Sequence, residues 1–516
     1  MKVAADTEVL IKADEEAVTI KAGNIPKQGE PKKDKNGANV YPIPAGIDIL
    51  SYDHSTGTKI WSPITSYTEE FNCPCVEVST ITQTVIVSDN QSLTLFNHET
   101  GVIEKESPRG AEGRFAPVLN QVGTYGTVGD YNYGWWLGAF VSDGWITENR
   151  MIGYAKKEQA KRDLFVKVAR EQIHDNFTAR TYEGKGTCTK FKYADSVKVH
   201  LSGRDLAERV TALNLTAPSS AGERQAIKKN IPDTLLNQLS EKALWGVLAG
   251  LIDGDGSCVK NTTLQKPRYN FRLATSSPSL RDASVKLAYR LGIRTSVTTT
   301  PPRNGSKEAY SISFSTIDMK LRSGGHLTFT GEREDRIYKE FMQAEANFGI
   351  SRDCLPLTHA EAAWVRKVAW SYNEKGLYTV IGKKENRVNT KVNIYKMREF
   401  LTTVNQDKGK SELLAILGFG AAAYAVLLRR VFSTDVRWEA IRTVTDAGKR
   451  SVYDFEVQGT KIFATGNGLI IWDTMGYHVP ASDKAVAEAY EKMLPSKNLF
   501  RVTTLGDAQH KNRSVV

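Results

Sequence analysis

Two nine-residue stretches built to one pattern constrain this chain more than anything else in it. Trp136-Leu137-Gly138-Ala139-Phe140-Val141-Ser142-Asp143-Gly144 and Leu248-Ala249-Gly250-Leu251-Ile252-Asp253-Gly254-Asp255-Gly256 both run apolar and small residues into a closing Asp-Gly. Such a run reads as a buried helix with a glycine cap. That ordinary reading covers everything except the acid. A carboxylate at a helix C-terminus faces the negative end of the macrodipole and is disfavoured there unless a cation compensates. Each stretch is followed by a segment of helical apolar spacing (Phe165 to His174, Ser284 to Leu291) and by an alternating strand (Val197 to Leu201, Tyr310 to Phe314). Helix, strands and helix occurring twice predict an internal duplication. If the motif helices pack side by side, small residues such as Gly250 allow close approach, and Asp143 and Asp255 meet as two hard oxygen ligands.

The second stretch matches the LAGLIDADG signature almost letter for letter, and the first is a weaker copy of it. On these residues the middle of the chain resembles a two-motif LAGLIDADG (DOD-type) homing endonuclease. The resemblance implies an α/β domain of two αββαββα-like repeats over 130–345, the repeats being about 130–235 and 240–345. It implies Asp143 and Asp255 as catalytic metal ligands sharing Mg2+ between two scissile phosphates of double-stranded DNA. Lys229-Asn230-Ile231-Pro232 resembles the family's Lys-x-Ile-Pro segment, which makes Lys229 the lysine beside the metal-bound water. Lys286 to Ile293 is similar to the family's helix ending in Leu-Gly-Ile. The equivalent basic residue of the first repeat is not identified, Lys190 and Lys192 being the candidates. The family's antiparallel strands lie on the major groove. Lys190, Lys192, Lys198, Arg268 and Arg272 therefore suit phosphate contacts or guanine readout there.

Composition agrees without deciding. With 516 residues, 41% hydrophobic and 25% charged, the chain is a soluble multidomain protein and not a disordered or fibrous one. Lys and Arg number 69 against 58 Asp and Glu, a net charge of +11 that attracts polyanions but also fits an ordinary basic surface. The five cysteines, Cys73, Cys75, Cys188, Cys258 and Cys354, are odd in number and argue for a reducing, cytoplasmic compartment. No apolar leader opens the chain, and the apolar run Leu413 to Leu428 reads as a buried helix, so no membrane association is expected.

Residues 1–115 read as an all-β unit of short strands: Val9 to Ile11, Val18 to Ile20, Ile47 to Tyr52, Val76 to Val78 and Thr84 to Val87. Arg437 to Ile471 has the same composition. These flanks resemble the two halves of an intein, a HINT-type splicing domain, on Ala5 to Ile11, Ala45 to Tyr52, Val87 to Leu93, Ser451 to Val457 and Gly468 to Asp473. The expected fold is therefore an all-β HINT domain split by the endonuclease. Its halves are 1–115 and 431–473, and 346–430 is a linker or accessory region. The resemblance assigns splicing roles to Ser88 and Gln91 in the Thr-x-x-His position, to Asp473 as terminal residue, and to Thr474 as downstream nucleophile. The chain departs from the pattern. Met1 to Ala4 offer no Cys or Ser, Gln91 replaces His, Trp472 replaces the penultimate His, and Asp473 replaces Asn. With no upstream extein in this sequence, it is not expected to complete cis-splicing by itself.

Asp473 to Ser482 and Met493 to Phe500 resemble the segment after the catalytic loop of the RNA polymerase β′ subunit. Residues 474–516 are then a short helical extein fragment of a host polymerase subunit, in a phage or other mobile genome. With both repeats in one chain, a monomer is expected. Two alternatives stay open: a non-splicing endonuclease with a HINT-like accessory domain, and a catalytically degenerate DNA-binding protein.

Overall fold

The computed structural model describes residues 2–13, 16–34, 37–53, 57–80, 84–89, 93–120, 125–148, 150–184, 196–216, 225–262, 267–302, 307–344, 354–372, 391–406, 420–433, 435–472, 502–504 and 513–515. The chain divides into two units. One takes its residues from both ends of the sequence, and the other holds essentially 120–349.

The first unit is β-rich because its β-branched runs pair across the whole length of the sequence. The strands Thr58–Ser79 and Thr443–Val457 run antiparallel from Thr443 opposite Ser79 to Val457 opposite Ile64. Val3 pairs with both Tyr453 and Val87, and Phe115–Leu119 pairs with Val436–Ala440. The Leu119 amide donates to the Gly468 carbonyl at 2.7 Å. Either flank alone would leave sheet edges unpaired, so the two complete one another.

Residues 354–433 join this unit's core. The helices His359–Ser371, Ile394–Gln406 and Ala421–Phe432 place Trp364, Met397 and Leu427 in one buried cluster with Leu10, Leu50 and Phe96. Thr358 and Glu361 close a reciprocal cap on the first of these helices. The helix expected over Leu413 to Leu428 begins only at Ala421, after Gly420 at φ 72°, and runs to Phe432. It buries one face, with Tyr424 and Leu427 inside and Val426 exposed. The residues 407–419 lie outside the described residues.

At the C-terminus most of the expected helical extein fragment, 474–516, also lies outside them. What is described there is a strand pair, Val502–Thr504 with Arg513–Val515, which suits its β-branched residues better than a helical tail. Cys73, Cys75 and Cys258 are free thiols. Among the described residues no helix is long and apolar enough to cross a membrane.

The second unit contains the same succession twice. Helix Tyr131–Asp143 leads to the hairpin Gly144–Ile146 and Met151–Ala155, helix Gln159–Val168, strands Thr178–Gly184 and Ser196–Ser202, and helix Arg204–Ala212. Helix Glu241–Asp255 leads to Gly256–Asn261 and Arg268–Thr275, helix Pro278–Arg290, strands Thr295–Thr300 and Ala309–Phe314, and helix Thr316–Arg322. In each four-stranded sheet the spatial order is first, second, fourth, third. Alternate residues of both sheets, among them Ile152, Tyr154, Leu201, Phe271, Leu273 and Ile312, enter one core with the motif helices. The opposite faces are left for something else.

Candidate functional site

The two motif helices approach backbone to backbone. A Cβ on Gly138 would lie 2.3 Å from the Val247 carbonyl, and one on Gly250 would lie 2.2 Å from the Trp135 carbonyl. Gly134 and Gly246 meet Ala243 and Tyr131 in the same way, so the contact is reciprocal about a pseudo-two-fold. Replacing Gly250 by Ala is expected to destabilise the unit by about 1–3 kcal/mol, because backbone and not a flexible side chain must give way. Urea unfolding checks this, and a neutral result would mean that the helices can separate freely.

This packing carries the two C-terminal ends together. Asp130 and Ser240 cap the helix starts, accepting from Tyr133 and Ala243, and Gly144 and Gly256 follow the acids. Oδ2 of Asp143 would be 3.0 Å from a Cβ on Gly254 of the other helix. Lys156 Nζ stands 2.8 Å from that oxygen and donates to the Gly254 carbonyl at 2.9 Å. Among the described residues that buried oxygen has the Lys156 ion pair and no further hydrogen-bond partner. Lys229 Nζ donates to the Ser142 carbonyl, and the Lys229 carbonyl is fixed by Ser277 Oγ at 2.6 Å.

Electrostatics bind these groups into one set. Asp255 remains open to solvent on one side, yet the dense protein around it raises its carboxyl to about 6. Lys229 opposes that shift and Asp143 adds to it. Burial lowers the Lys229 ammonium from its usual value, against the pull of Asp255 and Asp143. Each acid thus stands at the negative end of its helix with the other nearby, a place that calls for positive charge. Among the described residues no group of three or more His, Cys, Asp or Glu side chains could hold a metal ion. Two carboxylates are what the site offers, and they fit a hard cation that completes its shell with phosphate and water.

Of the residues singled out in the sequence, Asp143, Asp255 and Lys229 come together. Lys198, Arg268 and Arg272 lie on the sheets, on strands Ser196–Ser202 and Arg268–Thr275, at positions that alternate with the buried ones. Lys190, Lys192, Gln91, Asp473 and Thr474 lie outside the described residues. Ser88 is buried, its amide donating to the Lys2 carbonyl at 3.0 Å and its hydroxyl without a partner among the described residues. Lys156 was missed by sequence reasoning. It directly follows strand Met151–Ala155, and the register equivalent in the second repeat is Thr275, so the duplication supplies no second lysine to reveal it.

Asp253 was also missed. It is buried in the second motif, where its carboxylate accepts from Trp135 Nε1 at 2.9 Å, the Thr330 amide at 2.9 Å and the Gly331 amide at 3.2 Å. The buried Lys161 donates to its carbonyl at 2.9 Å and lies 3.7 Å from its carboxylate. Asp253 therefore holds the end of the motif helix, whereas Asp255 is presented.

The profile of the LAGLIDADG-like domain matches residues 243–343, so this part of the chain carries a LAGLIDADG-like domain. No curated protein sequence matches the chain. Among solved structures, the homing endonuclease I-DmoI in complex with DNA and Mn is similar at 13% identity and a TM-score of 0.26, covering 38% of this chain and 96% of that one. The Pab PolII intein is similar at 17% identity and a TM-score of 0.21, covering 25% and 71%. The transcription factor IIB Mvu mini-intein is similar at 13% identity and a TM-score of 0.21, covering 23% and 69%.

Proposed function

We propose that the chain is a site-specific endonuclease that breaks both strands of duplex DNA with Mg2+ as its cation, carried within a split HINT-type splicing domain. The observation that carries the reading is the meeting of Asp143 and Asp255 at paired helix ends, with Lys156 and Lys229 against them. Asp143 and Asp255 would hold a hard divalent cation, which when bound would supply a water of lowered pKa and charge to offset the leaving 3′ oxygen. Asp143 and Asp255 hold their oxygens toward the two strands. We assign Lys229, whose ammonium burial lowers from its usual value, to moving a proton at that centre. Lys198, Arg268 and Arg272 contact phosphates and base edges, and Lys190 and Lys192 extend that face. One chain supplies both halves, so a monomer suffices.

The test is a plasmid carrying the uninterrupted insertion site in a polymerase β′ gene. Linearisation with Mg2+ and none with EDTA is expected, and an uncut plasmid over a full cation series would overturn the reading. Acid should also stop the reaction. Protonated Asp255 cannot hold a cation, so at cation concentrations well below saturation cleavage is expected to fall about tenfold per pH unit below about 6. The sign for folding is opposite. A carboxyl raised above its unfolded value costs the cation-free protein stability above about pH 6, and that cost is relieved as pH falls. A cleavage rate flat from pH 7 to 5 would remove Asp255 from the reaction.

A splicing role has its own support. Strand Val3–Ala4 pairs with Thr84–Ser88, while Ile471 in strand Ile470–Trp472 pairs with Leu93. The two ends of the β unit thus pair with the strands on either side of the stretch containing Gln91. We assign Ser88 and Gln91 to activation of the upstream amide, Asp473 to release, and Thr474 to attack, with residues 474–516 as polymerase extein in an intracellular setting. Expression with the native upstream sequence is expected to yield a ligated host fragment, and recovery of intact precursor alone would exclude splicing.

A further inference from the structure

The outer faces of the two nuclease sheets can be compared position by position, because their strand orders are the same. Next to Asp143, the paired residues across the first sheet are Trp145, Gly153, His200 and Arg180. Next to Asp255, the corresponding residues of the second sheet are Ser257, Arg272, Ser313 and Ser296. The backbone frame is shared and the chemistry is not.

In the first sheet Gly153 serves as a seat. A Cβ there would lie 2.1 Å from the Trp145 ring, so the indole lies across the bare backbone. The His200 ring meets Trp145 edge-on at 5.8 Å, and Tyr182 stands 4.6 Å from His200. Tyr182 is 45% exposed, and Lys198 Nζ lies 5.9 Å over the Trp145 ring. Burial, with the Lys198 charge adding, holds His200 below its ordinary value and so neutral at pH 7. The result is an apolar platform with cations at its margin. At the four matched positions the second sheet instead offers three hydroxyls and one guanidinium, with Arg268 and the exposed aliphatic Val259 farther along the same face and no aromatic ring among these residues.

Aromatic surface facing water favours a partner that covers it with apolar atoms. In a duplex major groove the apolar group is the thymine C5 methyl, while a guanidinium finds O6 and N7 of guanine. We propose that the first repeat reads its half of the target through thymine methyl groups set against Trp145 and Tyr182, whereas the second reads hydrogen bonds through Arg272 and its flanking serines. The proposal rests on the reading above that these faces bind DNA. It makes the target chemically asymmetric.

Replacing thymine by uracil removes only the methyl group. Equilibrium binding in EDTA would be measured on the cleaved duplex with uracil placed in one half at a time. Loss of affinity of about fourfold per buried methyl is expected in one half only. Tyr182→Ala should erase that sensitivity, and Trp145→Ala likewise, while Arg272→Ala should keep it. Tyr182 is exposed, so its replacement leaves the core intact. Equal sensitivity in both halves, none in either, or a sensitivity unchanged in Tyr182→Ala overturns this proposal alone. A protein that binds no duplex overturns it together with the nuclease reading.

Discussion

Replacing Asp143 and Asp255 together by Asn is expected to abolish double-strand cleavage, by at least about a thousandfold, while leaving the fold intact. The amide is close to isosteric with the carboxylate, so the helix packing set by Gly138 and Gly250 is undisturbed. What disappears is the pair of charges that holds a cation, and with it a contribution of several kcal/mol to the transition state. The single variants carry more information. If each acid serves both strands, either Asn should stop both cuts, and nicked product should not accumulate. If each serves one strand, Asp143→Asn should nick one strand and Asp255→Asn the other. Removing negative charge also relieves desolvation at Asp255, whose carboxyl is raised to about 6, so Asp255→Asn should not lose stability, whereas Asp143→Asn gives up the ion pair with Lys156. Supercoiled, nicked and linear plasmid separated on a gel read all three outcomes. Cutting by the double variant at the parent rate would remove the acids from the mechanism.

Much of this was legible in the residues because local pattern and local structure agree. The motif helices, strands Ser196–Ser202 and Ala309–Phe314, and the short β-branched runs of the first unit all follow from periodicity. The strand Thr58–Ser79 did not show as one element, because Pro63, Pro74 and a left-handed Asn72 at φ 59° interrupt its alternation. Only its end, Val76 to Val78, was visible. Tertiary pairing with Thr443–Val457 holds the strand together, and nothing local signals that partner. Residues 354–433 were illegible for a similar reason. Their helices bury faces against Leu10, Leu50 and Phe96, which come from far away in sequence.

The candidate site divides along the same line. Asp143, Asp255 and Lys229 belong to motifs. Lys156 is fixed by register alone, and Asp253 looks like one more letter of a motif until its partners at 135, 161, 330 and 331 are known.

Those partners make Asp253→Ala the most damaging single change expected for stability. It leaves the buried Lys161 ammonium with only the more exposed Glu158, 3.7 Å away, as counter-charge, and the Trp135 indole and two backbone amides without their acceptor. Breaking a buried pair from one side costs about 3–5 kcal/mol, and the surviving Glu158 contact puts this change toward the lower end of that range. Asp253→Asn keeps an acceptor and should cost less, about 1–3 kcal/mol. Lys161→Met in the Asp253→Asn background removes the stranded charge, and it should recover stability relative to Asp253→Asn alone. Urea unfolding of the parent, Asp253→Asn, Lys161→Met and the double variant forms the cycle that separates charge from packing. Activity should follow a different order. Asp253 stands two residues before Asp255, so even the folded fraction of Asp253→Asn should cut more slowly, with Asp255 less well placed. A loss under about 1 kcal/mol in Asp253→Ala would show that water or a shifted Lys161 reaches the cavity, and the motif helix would then owe its position to the glycine contact alone.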